Sequence, residues 1–215
     1  MTRMIFVRHG ESVGNLEKRF YGNFDKGLTD LGRKQADKAG EYILKNYKLD
    51  IAYGSDLGRA FETGEIIAKK QGLTVIPDKG LREIYAGVWE NMLFDDIIAE
   101  YSEAYGFWKN DIYNSQPVDG EMVCDLCRRV KEAVWSIAEK NDGKTVLIAT
   151  HATPIRTLEC EWRGEPYENM KEHPWVKNAS VSVIDYDIEK RSVTPVVIGE
   201  AGFMGDMITE LPKNI

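Results

Sequence analysis

The chain has 215 residues, 43% of them hydrophobic and 29% charged, which is an ordinary composition for one soluble globular domain. Its formal net charge of -7 at pH 7 and the lack of any basic cluster argue against a nucleic-acid partner. No apolar stretch has the length of a membrane span, and the N-terminus leaves no room for a signal peptide, so we expect a cytoplasmic protein with no membrane partner.

The first predicted element is a short apolar run, residues 4–7, that stops at Arg8-His9-Gly10. An uninterrupted apolar run fits a strand buried on both faces, as in a parallel sheet. Ligands of open α/β sheets bind just outside the carboxyl ends of the strands. The sequence therefore brings a cation, an imidazole and a glycine to such an edge, although a lone histidine after a strand is more often structural.

A long polar loop without regular structure is predicted at residues 11–28, and its mixed aromatic and charged content favours a functional role. A helix then begins at Thr29 or Asp30 and carries an apolar stripe as far as Tyr47. Residues 51–54 form a second short strand.

Ser55 or Asp56 can cap the next helix, which runs to about Gln71. Arg59 then falls in the first helical turn, where a cation is unfavourable for the helix dipole. An anion bound there would be attracted by both the helix N-terminus and the guanidinium. Arg59 is therefore a candidate anion ligand, and the alternative is a solvated surface arginine.

A third strand at residues 74–76 leads to an irregular segment that carries Glu83 among apolar neighbours. A carboxyl group in such surroundings can have a raised pKa and act as a general acid. Equally, Glu83 can simply pair with an arginine. Helical patterns follow at residues 94–105 and 119–141, and the aromatic stretch between them, residues 106–118, is a candidate lid or wall.

The strongest strand after the first, residues 144–150, also ends in a histidine, His151. Pro154 suits the first turn of a following helix, and residues 180–187 and 192–198 predict an antiparallel hairpin. We interpret the cysteines as free thiols rather than as a disulfide framework or half of a zinc or redox site: Cys124, Cys127 and Cys160.

Two histidines thus follow strands at one edge of the predicted sheet, so we expect His9 and His151 to lie close together. Arg8 and Arg59 add two permanent cations, whose planar forks match phosphate oxygens. A few buried arginines can make a positive pocket even in an acidic protein. Such a pocket could place one imidazole to attack phosphorus and the other to stabilise charge on its oxygens.

Further motifs stand in a fixed order around these residues: Arg8-His9-Gly10, Glu11, Asn15, Arg19, Gly22, Asp25, Ser55-Asp56, Arg59-Ala60, Glu83, Trp89-Glu90, His151 and Asn178-Ala179-Ser180. Together they resemble the histidine phosphatase superfamily, in the branch that includes cofactor-dependent phosphoglycerate mutases and small bacterial phosphatases. The resemblance extends from residue 4 to about residue 184.

The resemblance implies a three-layer α/β/α fold of the phosphoglycerate mutase-like kind, with a central, mostly parallel sheet and a small helical cap. Residues 1–215 would form a single domain, with residues 85–120 as the cap insertion. Candidate wall residues in that cap are Trp89, Phe94, Trp108 and Tyr113.

The resemblance also implies the roles of the site residues. His9 would be the nucleophile that becomes phosphorylated, and Glu83 would protonate the leaving group and later activate water. The rest of the catalytic phosphate pocket would be Arg8, Arg59 and His151, and the substrate-binding positions would also include Asn15, Tyr21, Gly22 and Ala152.

His9 must attack as a neutral imidazole, so its other nitrogen needs a partner, and a backbone carbonyl of the glycine turn is the candidate. No metal or other cofactor is implied, because His9 and His151 have no carboxylate or cysteine nearby at ligand spacing. His173 is interpreted as a surface or rim residue. Four positions near the expected mouth depart from the family's common residues and bear on the substrate: Tyr21, Asn91, Met122 and Ala152.

The leading hypothesis is a metal-independent phosphomonoesterase that acts on a small phosphorylated metabolite through a phosphohistidine. The alternatives are a cofactor-dependent phosphoglycerate mutase and a non-catalytic phosphate-binding scaffold. The chain is short for a mutase that encloses its substrate, and it retains all five catalytic positions that a scaffold would be free to lose. The substrate's identity and the oligomeric state stay open, a homodimer included.

Overall fold

The computed structural model describes residues 1–209, and a six-stranded sheet forms their centre in the order β3-β2-β4-β1-β5-β6. Strands β1 to β4 run parallel to their neighbours among themselves, whereas β5 pairs antiparallel with β1 and β6 antiparallel with β5. The predicted mostly parallel sheet and the C-terminal hairpin are confirmed. The strands are β1 (Thr2–Arg8), β2 (Ile51–Gly54), β3 (Val75–Pro77), β4 (Thr145–Thr150), β5 (Val181–Asp187) and β6 (Ser192–Glu200).

Helices cover both faces of this sheet, so the predicted α/β/α class is confirmed. They are α1 (Val13–Glu17), α2 (Asp30–Asn46), α3 (Gly58–Lys69), α4 (Phe94–Glu100), α5 (Ser102–Asn110), α6 (Val123–Lys140) and α7 (Ala152–Arg163). Side chains alternate along β1, because successive residues of a strand point to opposite faces. Ile5 packs in the core with α2 and α3, whereas Phe6 packs in the core with α6 and α7.

The register of the central strands places their polar ends side by side. Arg8 at the end of β1 lies opposite Thr150 at the end of β4. The next residue of each strand, His9 and His151, therefore leaves the sheet at the same carboxyl edge. The prediction that the two histidines lie close together is therefore explained by the pairing of β1 with β4. No helix within residues 1–209 combines the length and apolarity that a membrane span requires.

The polar segment at residues 11–28 is not the unstructured loop predicted from its composition, because it contains α1. A capping box starts this short helix: the hydroxyl of Ser12 accepts a hydrogen bond from the backbone N–H of Asn15, whose side chain accepts one from the N–H of Ser12.

The predicted cap of α3 at Ser55 or Asp56 is wrong. The hydroxyl of Ser55 is instead 2.8 Å from Nε2 of His151, and the carboxylate of Asp56 pairs with an arginine from a later loop. One unpaired backbone donor at the start of the helix is satisfied from far along the chain, because Asp25 accepts the N–H of Arg59 at 3.0 Å. Both residues that the sequence offered as caps are thus engaged in longer-range contacts.

Two helix boundaries also differ from prediction. The helix expected at residues 94–105 is two helices, α4 and α5, because the backbone of Tyr101 leaves helical geometry at φ -126° and ψ 41°. The helix expected from residue 119 begins at Val123, since Asp119 adopts a left-handed turn conformation with φ 57°. The three cysteines are free, as predicted.

A close backbone crossing fixes the loop that follows β1 against the start of α2. A Cβ atom on Gly32 would lie 2.0 Å from the carbonyl oxygen of Glu11, and one on Gly10 would lie 2.2 Å from the carbonyl oxygen of Gly32. Backbone atoms cannot yield as a flexible side chain can. These two glycines therefore let α2 pack directly on the loop that carries His9.

Replacing Gly32 with alanine should destabilise the fold by about 2 kcal/mol, because the added methyl meets backbone. The matched control is Gly106→Ala in α5, where nothing lies within 4 Å of the added Cβ. That variant should gain about 0.5–1 kcal/mol from helix propensity. Urea unfolding of both variants and the wild type measures the two changes in stability. Equal effects of the same sign would contradict the claim that the backbone leaves no room for a side chain at Gly32.

Candidate active site

A pocket opens at the carboxyl edge of the central strands. Its polar lining comes from the end of β1, the segment around α1, the starts of α3 and α7 and the loop that carries Glu83, and its apolar lining comes largely from aromatic residues. The lining residues are Arg8, His9, Ser12, Asn15, Arg19, Phe20, Tyr21, Arg59, Glu83, Phe94, Trp108, Ala152, Thr153 and Trp175. We call this the central pocket.

The hydrogen bonds of His9 define its tautomer. Its Nδ1 is 2.7 Å from the carbonyl oxygen of Gly10, which can only accept, so Nδ1 carries the hydrogen. Its Nε2 receives the Nε–H of Arg59 at 3.3 Å and therefore presents a lone pair. Burial, followed by the charges of Arg59 and Arg8, holds the pKa of His9 well below its ordinary value. The predicted carbonyl partner in the glycine turn is confirmed.

Two buried guanidinium groups lie beside this imidazole. Arg8 is 4% exposed, donates to the carbonyl of Val176 at 2.6 Å, and has a buried Nε that lacks any partner within residues 1–209. Burial lowers the pKa of Arg8 to about 10. Arg59 is 1% exposed, and Oδ2 of Asp25 lies 3.7 Å from its Nη1. The alternative of a solvated surface Arg59 is wrong, and the arrangement favours an anion.

Arg59 is held in place by the loop at residues 21–25. Its Nη1 donates to the carbonyl of Phe24, and its Nη2 donates to the carbonyls of Tyr21 and Gly22. The carboxylate of Glu90 accepts backbone N–H groups from residues 22–24 and fixes the loop from the other side. Gly22, expected to bind substrate, is not on the pocket wall and instead positions the guanidinium, whereas Tyr21 contributes to the lining.

Glu83 lies at the N-terminal end of α7, where it is 7% exposed. Its Oε1 accepts the N–H of Ile84 at 2.8 Å, and its Oε2 accepts the N–H of Thr153 at 3.2 Å. Burial raises its pKa, although these N–H groups and Arg59 act in the opposite direction. Glu83 forms no ion pair with an arginine within the described chain, so its surroundings favour a raised pKa over simple pairing with an arginine.

His151 lies behind His9 rather than on the pocket wall, because it is fully buried. The two ring centroids are 5.3 Å apart, with the planes at 62°. The Nε2 of His151 is paired with the Ser55 hydroxyl, whereas its buried Nδ1 has no hydrogen-bond partner among the residues described. Burial and then Arg59 hold its pKa well below the ordinary value.

The aromatic wall differs in part from the predicted one. Phe94 and Trp108 line the pocket, but Trp89 is fully buried and Tyr113 stacks on Tyr167, so those two assignments are wrong. The observed wall is completed by aromatic residues from outside the predicted cap: Phe20, Tyr21 and Trp175.

Trp175 packs against two flat groups. The guanidinium carbon of Arg156 is 4.0 Å from its ring centroid, and the ring of Trp108 stands nearly parallel on it at 6.3 Å. Nothing in the local sequence indicates this contact, because the loop before β5 brings Trp175 to α5 from far along the chain. His173, expected at the surface or rim, is buried beside the carboxylate of Glu165.

Ser12, Arg19 and Thr153 also line the pocket without having been assigned a binding role. Each stands close in sequence to a residue that was assigned to the site. That closeness is the only feature of the sequence that could have indicated their place in the pocket. Within residues 1–209, no group of three or more His, Cys, Asp or Glu side chains is arranged to hold a metal ion.

Comparisons of the sequence and of the structure with known proteins agree on the family. The family model described as histidine phosphatase superfamily (branch 1) matches residues 4–198. Phosphoserine phosphatase 1 of Hydrogenobacter thermophilus is 30% identical over the full length of both chains, and the probable phosphoglycerate mutase GpmB of Yersinia pestis is 31% identical over 94% of this chain and 93% of its own. The solved structure of Bacillus stearothermophilus YhfR is 33% identical and superposes with a TM-score of 0.87, covering 95% of this chain and 100% of that one.

The lowered pKa of His9 has a consequence for stability. A depressed pKa contributes stability that is present above the unfolded-state pKa, about 6.5, and is lost as the pH falls below it. Between about pH 7.5 and about pH 5.5, the wild type should therefore lose about 1.4 kcal/mol more unfolding free energy than His9→Asn.

Urea unfolding at the two pH values measures this difference. The comparison must be made against the variant, because Glu83 has a raised pKa and acts in the opposite direction in both proteins. His151 contributes with the same sign in both. If the unfolding free energies of the wild type and His9→Asn changed with pH in parallel, the claim that His9 is buried as a neutral imidazole would be contradicted.

Proposed function

The chain belongs to the histidine phosphatase superfamily, and we propose that it is a metal-independent phosphomonoesterase that transfers a phosphoryl group to His9 and then to water. One observation carries the proposal: a neutral imidazole presents its Nε2 lone pair in a pocket lined by two buried guanidinium groups and a buried carboxyl group. A phosphatase and a probable mutase both stand among the similar proteins, so the two reactions need separate arguments.

The first half-reaction forms a bond between Nε2 of His9 and phosphorus. The substrate's P–O bond breaks, and the leaving oxygen takes its proton from Glu83. An alkoxide leaves poorly without that proton, and the raised pKa of Glu83 favours the protonated form that can supply it. Attack requires the weak 3.3 Å contact from Arg59 to be exchanged for a contact to the phosphoryl group.

The second half-reaction returns the enzyme to its starting state. Glu83, now a carboxylate, removes a proton from water as the water oxygen bonds to phosphorus, and the N–P bond breaks. Inorganic phosphate leaves with His9 neutral and Glu83 protonated. Charge on the phosphoryl oxygens is offset by Arg8 and Arg59. His151 is not on the wall of the central pocket, so its Nδ1, which has no partner within residues 1–209, would hydrogen-bond only to a phosphoryl oxygen that reaches past the ring of His9.

The aromatic wall points to the substrate class. The aromatic part of the pocket lining consists of Phe20, Tyr21, Phe94, Trp108 and Trp175, and the polar lining residues form what we call the polar floor. Such a wall suits an apolar or ring-bearing alcohol rather than a small, heavily charged one. A small phosphorylated metabolite with one phosphate and a flat or apolar alcohol is therefore the proposed substrate.

Arg19 bears on the choice between hydrolysis and the mutase reaction. A phosphoglycerate mutase needs cations for a second anionic group of its substrate, and Arg19 is the further arginine on the pocket lining. Its guanidinium is already engaged by the carbonyl of Asn91 at 2.6 Å and the carboxylate of Glu17 at 3.2 Å. That engagement favours hydrolysis over the mutase reaction.

We further assign residues 85–120 as a cap on a single domain. This segment supplies Phe94 and Trp108 to the pocket, and its buried Trp89 packs edge-on against Phe20, with ring centroids 5.8 Å apart. The cap would thus set the wall that meets the alcohol, while the strand ends set the phosphoryl chemistry.

Phosphate release from aryl and alkyl phosphomonoesters, with a metal chelator present throughout, tests the proposal. We expect release from both, with preference for ring-bearing alcohols. Glu83→Gln keeps the side-chain shape but cannot donate the proton. In the first turnover it should slow the phosphorylation of His9 by alkyl esters about 10²–10⁴-fold and by a nitrophenyl ester much less, because nitrophenolate leaves without protonation. Hydrolysis of the phosphohistidine should slow for every ester, because that step also uses Glu83, so the nitrophenyl ester should give a burst of nitrophenol followed by slow turnover.

The control in this series is His9→Ala, which should abolish release from every ester. Two outcomes would contradict the proposal: release that needs a divalent metal ion, or interconversion of 2- and 3-phosphoglycerate that is faster than phosphate release. The second of these would establish the mutase reaction.

A further inference from the structure

The motif Asn178-Ala179-Ser180 has no part in the mechanism above, yet its first residue contacts the site. Asn178 stands in the turn before β5 and is 1% exposed. Its Nδ2 donates to the backbone carbonyl of His9 at 3.1 Å and to Oδ1 of Asn15 at 3.0 Å. Its Oδ1 accepts the hydroxyl hydrogen of Thr209 at 3.1 Å. Every polar atom of this buried amide is therefore used.

Backbone groups fix the orientation of both amides. The carbonyl of His9 can only accept, so the atom of Asn178 that faces it must be the NH₂ group. The backbone N–H of Ser12 can only donate, so the atom of Asn15 that faces it at 3.1 Å must be the oxygen. The bond between the two amides agrees with both requirements.

These contacts leave the NH₂ group of the Asn15 side chain free to meet a ligand. Its Oδ1 accepts from the backbone and hydroxyl of Ser12 and from Asn178, so all three contacts hold the oxygen away from the pocket. Its NH₂ group makes no hydrogen bond within residues 1–209 and belongs to a side chain that lines the central pocket with His9. The donor end of the amide is therefore left for a ligand.

We propose that Asn178 is a positioning residue that holds the Asn15 amide with its NH₂ group, and not its carbonyl, toward a bound phosphoryl group. The reversed amide would present an oxygen to an anion and repel it. This inference rests on the proposed function, because it takes the central pocket to bind a phosphoryl group. The Asn178 side chain also holds the backbone of His9, because its NH₂ group donates to the His9 carbonyl.

Binding of inorganic phosphate, measured by calorimetry on the intact protein, tests whether Asn178 acts on the bound phosphate through Asn15. Asn178→Ala should weaken binding about fivefold to tenfold, because Asn15 loses the partner that holds its oxygen. Asn15→Ala should weaken binding about tenfold. In the Asn15→Ala background, adding Asn178→Ala should change binding by less than about twofold, since the group it positions is gone.

The matched control is Asn141→Ala, which removes another buried amide whose Nδ2 donates to the carbonyl of Ile137, at the opposite edge of the sheet. It should lower the thermal midpoint and leave phosphate affinity unchanged. A purely structural role for Asn178 would likewise reduce the folded fraction without altering affinity. If Asn178→Ala does not fold, Asn178→Leu removes the same donors with a larger side chain and serves in its place.

The outcomes separate the inference from the proposed function. Wild-type binding with Asn178→Ala unchanged, or with an equal loss in both backgrounds, would overturn the positioning role alone. A wild type that does not bind phosphate would overturn the phosphoryl pocket and the positioning role with it.

Discussion

The structure depends on the burial of two guanidinium groups around a neutral imidazole. Arg8 and Arg59 are removed from water beside His9, and the carboxylate nearest to Arg59, that of Asp25, is 3.7 Å away. Burying cations with so little compensation is costly unless other groups hydrogen-bond to them. The surrounding loops meet that requirement with backbone carbonyls. Burial, followed by the charges of the two arginines, lowers the pKa of His9 and keeps it unprotonated, and the remaining positive potential favours an anion.

Much of the site could be predicted because it stands at strand ends. Arg8, His9 and His151 each follow an apolar run, and the parallel pairing of β1 with β4 brings them together without any further information. Ser55 and Asp56 could not be predicted in the same way. Each is a good helix cap in isolation, and only the folded chain shows that His151 and an arginine compete for them.

The aromatic wall was harder to predict than the polar floor. Aromatic spacing along residues 85–120 does not distinguish a side chain in the core from one on a pocket wall, so Trp89 and Phe94 look alike in the sequence although only Phe94 lines the pocket. Trp175 comes from another part of the chain, and Arg156 and Trp108 hold it in place. Chemistry and specificity are thus specified by different kinds of sequence signal.

Trapping the phosphorylated enzyme would test directly whether His9 is the nucleophile. A rapid quench during turnover of a nitrophenyl phosphomonoester, followed by peptide mapping at alkaline pH, would locate the phosphoryl group. We expect a phosphoramidate on Nε2 of His9 in the wild type, because Nδ1 is hydrogen-bonded to the carbonyl of Gly10, and none in His9→Ala. A phosphoryl group on another residue, or full turnover by His9→Ala, would contradict this expectation.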